Sequence, residues 1–129
     1  MKKVIKTVEE LYGRKDGSGE VILDELAECL RKTRIIAVAD LAVLMDVDAH
    51  QLNQAVRLLT GMTTRDVINR WRLLQACELL AASSDDVANK GSRDDRIRLL
   101  NAVARRCGWR SYRVLQKVAH RYGVKLEIL

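Results

Sequence analysis

Residues 101–124 read NAVARRCGWRSYRVLQKVAHRYGV and carry Arg105, Arg106, Arg110, Arg113, Lys117 and Arg121 without one Asp or Glu. Guanidinium and ammonium groups gathered in this way attract phosphate oxygens, and Arg also pairs bidentately with guanine edges. A second run, HQLNQAVR (50–57), offers an imidazole, amides and one guanidinium. Asn and Gln amides can pair bidentately with adenine. Both sets suit recognition of a polyanion with readable edges.

The charge asymmetry is larger than the total suggests. The chain has 129 residues and a formal net charge of +6. Residues 96–126 hold nine Lys or Arg and no acid, which leaves 14 basic and 17 acidic side chains for the rest. A solvated helix face normally mixes both signs. A block of one sign on a slightly acidic body points to a polyanion partner.

Other chemistries find little support. His50 and His120 fall on separate expected helices, and Cys29, Cys77 and Cys107 are too far apart for any CxxC pattern. No Gly-rich phosphate loop appears, and no Ser or Cys is placed with a base. The expectation is a non-enzyme with no metal and no cofactor, its thiols buried and reduced. No apolar run approaches the roughly 18–20 residues of a membrane span, and no signal-peptide core follows Lys2 and Lys3. A cytoplasmic protein without membrane contact is expected.

The elements that must position these groups are helical. Val4, Ile5, Val8, Leu11 and Tyr12 predict a short amphipathic helix in residues 1–13, broken by RKDGSG, so 1–19 reads as an N-terminal arm. Leu23, Leu26, Ala27 and Leu30 recur at helical spacing from Glu20 to about Arg34. Leu41, Ala42, Leu44 and Met45 predict a short helix over 39–45. Asp48 with Gln51 forms a capping-box pair, opening a helix that runs to Thr60 and stops at Gly61.

These elements make a first unit over 20–62. A long helix opening at Thr63 or Thr64 spans 63–82, with Val67, Ile68, Trp71, Leu74, Leu79 and Leu80 as its apolar pattern. SSDDVANKGSRDD (83–95) reads as a polar surface loop. A helix from about Arg96 to Cys107, then one capped by Ser111 and ended by Gly123, make a second unit over 96–125. Residues 126–129 are a tail. A short helix, a tight turn and a second helix closed by glycine thus occur twice, at 39–61 and about 99–123. No alternating strand pattern is present, so the class expected is all-α.

Helical wheels sort the faces. Leu52, Ala55, Val56 and Leu59 form one stripe, opposite His50, Asn53, Gln54 and Arg57. On the last helix Val114, Leu115, Val118, Ala119 and Tyr122 oppose Arg113, Gln116, Lys117, His120 and Arg121, with Arg110 just ahead. A cationic outward face joined to a preceding helix is what a major-groove reader requires. A carboxylate there would repel the phosphate backbone, which accounts for its absence. The helix starts near Thr63, Thr64 and Ser111 suit either a phosphate on the positive dipole end or simple capping.

These residues carry a resemblance. ADLAVLMDVDAHQLNQAVRLLTGMTTRDVINRWRLLQACELLA (39–81) resembles the first half of the bacterial AraC/XylS-type DNA-binding module, through its LA, TGM and RLxxACELLA signatures. AVARRCGW and RYGV (102–109 and 121–124) are similar to its second half, and the likeness covers about residues 20–125. It implies two helix-turn-helix subdomains joined by a long linker helix, their reading helices entering successive major grooves about 34 Å apart. By position it implies His50, Gln51, Asn53, Gln54 and Arg57 in the first reader. In the second it implies Arg110, Tyr112, Arg113, Gln116, Lys117 and Arg121, with Trp71 and Trp109 structural. The chain departs from the family at Gln54 and Leu58, where basic residues are frequent, in its longer 83–95 connection, and in a shorter turn after Trp109.

The function expected is a sequence-specific DNA-binding transcription regulator, monomeric rather than dimeric. Its partner would be double-stranded DNA, with RNA polymerase or another protein as a further one. The alternative is a helix-turn-helix-fold interaction module that binds a protein, or nucleic acid without sequence preference. The weak first reader and the longer connection motivate it.

Overall fold

The computed structural model describes residues 8–14, 17–90 and 92–126, the side chains of 84–90 excepted. Val4 and Ile5 of the expected arm helix, and the tail beyond Leu126, lie outside the described residues. Among the described residues the chain is all-helical: α1 (Val8–Gly13), α2 (Val21–Lys32), α3 (Val38–Leu44), α4 (Ala49–Thr60), α5 (Thr64–Lys90), α6 (Arg93–Arg106) and α7 (Tyr112–Arg121). Two compact units divide between Trp71 and Arg72, inside α5.

In the first unit α1 packs on α2, α2 on α3 and α4, and α3 on α4. The α2 stripe Leu23, Leu26, Ala27 and Leu30 is buried, with Leu41, Leu52, Val56, Val67, Ile68 and Trp71. The arm belongs to this core, since Val8 and Leu11 are buried too. The Tyr12 ring meets Trp71 edge-on at 4.9 Å, and the Arg31 guanidinium lies 5.3 Å from the Trp71 ring centre. The loop after α1 is fastened to α2: Ser18 donates to Asp24 Oδ1 from its backbone N (2.6 Å) and its hydroxyl (2.8 Å).

Local chemistry sets the limits of α4. The Asp48 carboxylate accepts from Gln51 N at 3.1 Å, capping the helix start. Gly61, at φ 76°, donates its N–H to Arg57 O at 2.8 Å. That left-handed stop suits glycine, which lacks the Cβ that makes the region costly. The turn between α3 and α4 places Asp46, a non-glycine, at φ 56°.

In the second unit α6 packs on α7. Leu73, Ala76 and Leu80 of α5, Val103 and Ala104 of α6, Cys107, Trp109, and Leu115, Val118 and Ala119 of α7 are buried. Both tryptophans are therefore core residues. The turn between α6 and α7 closes through Trp109 N donating to Ala104 O at 2.9 Å. Arg72 is fully buried. Burial draws its guanidinium below the ordinary value, and its Nη1 donates to Gln75 Oε1 at 2.9 Å.

Several expectations are corrected. The tract 83–95 is not a loop: α5 continues to Lys90 and α6 begins at Arg93. Ser83 shows how a polar residue is accommodated, donating its hydroxyl to Leu79 O one turn back at 3.0 Å. A reciprocal capping box at Ser92 and Asp95 (3.2 Å each way) then opens α6 three residues before its expected start. The repeated figure is unequal as well, with 7 residues in α3 against 14 in α6.

Candidate nucleic-acid interface

In each unit one helix carries the candidate recognition residues on its exposed face. On α4 the residues His50, Asn53, Gln54 and Arg57 are exposed, as is Gln51 in the first turn. Their spacing (i, i+3, i+4, i+7) puts the first four on one side, opposite buried Leu52 and Val56. They line an open groove of about 610 Å³, whose other walls are Val38, Thr63, Arg65 and Asp66. Leu58 stands exposed beyond it at 85%.

The start of α5 is built differently from what its sequence suggests. Thr63 caps it, its hydroxyl oxygen accepting from Asp66 N at 3.1 Å. Thr64 is fully buried, and its hydroxyl has no hydrogen-bond partner. Of the two roles expected for this helix start, capping is the one its Thr63 side chain performs, while the fold covers the Thr64 side chain. Arg65, exposed in the first turn, lines the groove together with Thr63 and Asp66. No periodicity along one helix could have shown this, because Arg65 joins the α4 face only through the reversal at Gly61.

The α7 face is cationic throughout. Arg110, Arg113, Gln116, Lys117, His120 and Arg121 are exposed, while Leu115, Val118 and Ala119 are buried on the other side. Val114, assigned to the apolar stripe, is 36% exposed at its edge. Among the described residues no carboxylate pairs with Arg110, Arg113, Lys117 or Arg121. Four unneutralised cations on one short helix and its lead-in form a strong local field.

The start of α7 brings a further correction. Ser111 occupies the N-cap position, but its side chain makes no capping bond. The Tyr112 N–H donates instead to Asn101 Oδ1 of α6, at 3.0 Å. Ser111 and Tyr112 are half-buried. This first-turn donor is thus already satisfied by protein.

Among the described residues no group of His, Cys, Asp and Glu is arranged to hold a metal ion. No described helix is long and apolar enough to cross a membrane. The two faces offer hydrogen-bond donors, acceptors and positive charge. In comparison with known proteins, no family model, no curated protein and no solved structure matches the chain.

Proposed function

We propose that the protein is a sequence-specific DNA-binding transcription regulator of the AraC/XylS type. In this reading α3–α4 and α6–α7 are its two helix-turn-helix readers, double-stranded DNA is its partner, and it acts as a cytoplasmic monomer. The observation that carries the reading is the α7 face: exposed, cationic, free of acids, and backed by a buried apolar stripe. Long cations reach both phosphates and base edges, and a helix fits the major groove. The amide-rich α4 face supports a second, less charged reader.

One observation favours another reading. Leu58 (85% exposed) on α4 and Val43 (80%) on α3 place apolar side chains in solvent. Such groups suit a protein surface, and the alternative is an interaction module that keeps the fold without reading sequence.

Selection of bound duplexes from a random pool decides between them. An enriched site with two segments, bound more weakly as salt rises, is the expected result. Arg113→Ala and Lys117→Ala are each expected to weaken binding about tenfold. Equal affinity for every duplex, together with a stoichiometric protein partner, would replace the regulator by the interaction module.

A further inference from the structure

The α4 face by itself is a poor partner for a polyanion, since Arg57 is its only fixed cation. The fold supplies another. Gly61 reverses the chain in a left-handed conformation, and the first turn of α5 then sets Arg65 on the groove that His50, Asn53, Gln54 and Arg57 line. Arg57 and Arg65 are both exposed, and neither has an ion-pair partner among the described residues.

We infer that this groove seats one sugar-phosphate strand of a DNA duplex, with Arg57 and Arg65 as its two phosphate contacts. The proposal rests on the DNA-binding reading above and adds a residue and a strand to it. Two features carry it. Every lining residue but Val38 carries a polar side chain, which suits a ligand with hydrogen-bonding groups of its own. The two guanidiniums come from different helices, so their mutual placement is held by the Gly61 turn rather than by one flexible segment.

One first-turn amide of α5 is already taken, since Thr63 accepts from Asp66 N; the proposal places the attraction in the two guanidiniums.

The test is fluorescence anisotropy with a labelled random-sequence duplex, titrated across salt. Arg65→Ala is expected to lower the slope of log affinity against log salt by about 0.9, the value of one phosphate contact. Arg65→Lys should restore it, and a circular-dichroism melt of Arg65→Ala should match wild type because the side chain is exposed. If Arg65→Ala keeps the wild-type slope while Arg113→Ala lowers it, the groove assignment is wrong and the regulator reading survives. A wild-type protein with no salt-dependent duplex binding overturns both. Unlabelled single-stranded RNA competing as well as the duplex would overturn the assignment to duplex DNA.

Discussion

Asn101 of α6 accepts, through Oδ1, a hydrogen bond from the backbone N–H of Tyr112 at the first position of α7 (3.0 Å). It does from eleven residues away what an N-cap side chain does locally, while Ser111 beside the helix makes no such bond. Asn101→Ala should therefore destabilise the second unit by about 1 kcal/mol, the usual cost of losing a cap. Ser111→Ala should change stability by less than about 0.5 kcal/mol. Thermal melts of the two variants check this, and reversed effects would return the cap to Ser111.

Thr64 gives a second prediction. Its hydroxyl is buried and unpartnered, and a buried polar group without a hydrogen bond costs about 1–3 kcal/mol. Thr64→Val keeps the shape and removes that group. It should raise the melting temperature and leave duplex affinity unchanged, read by calorimetry and anisotropy on one preparation. A fall in affinity would show that the hydroxyl reaches the ligand.

The α3–α4 turn is tuned at Asp46, which sits at φ 56°. The left-handed region costs an ordinary L-residue roughly 1–2 kcal/mol and a β-branched one more, whereas glycine enters it freely. Asp46→Val should destabilise by about 1–2 kcal/mol on that scale, and Asp46→Gly should be neutral or mildly stabilising. Denaturant midpoints distinguish them, and equal effects would mean that the backbone relaxes out of the left-handed region.

Cys107 predicts a pH effect. Burial raises its thiol from 9.0 to about 11, against the opposing pull of the Arg72 and Arg106 cations. The folded chain therefore keeps a proton that the unfolded chain releases above pH 9. Stability contributed by this group is complete below pH 9 and is lost as pH rises from there to about 11. Melting temperatures of wild type and Cys107→Ala should fall differently across that window, wild type more steeply. Parallel curves would remove the thiol from the account.

The local part of the fold was legible in the chain. Helical periodicity located α2, α4 and α7 within a residue or two, and Asp48 and Gly61 marked the ends of α4 because capping and left-handed stops act over one turn. Both polar faces followed from the same periodicity. The composition of 83–95 points to a loop, because Ser and Asp compete for backbone groups, but the tract contains no proline and no glycine before Gly91. A helix already under way extends at small cost, because the costly nucleus has been formed. The S-x-x-D signal at Ser92–Asp95 was present in the sequence and marks where α6 begins.

The amino-acid sequence by itself thus determined the helical class, the greasy and polar sides of α4 and, Val114 apart, of α7, and the acid-free cationic segment, since these depend on neighbours a turn or two away. It did not show that Leu44 is half exposed or that Arg72 is buried. The tertiary structure decided that Asn101 rather than Ser111 holds α7, that Thr64 is covered, and that Arg65 joins the α4 groove. The reason is physical: a hydrogen bond or a buried surface goes to whichever group packing brings closest, and packing joins residues that no local period connects.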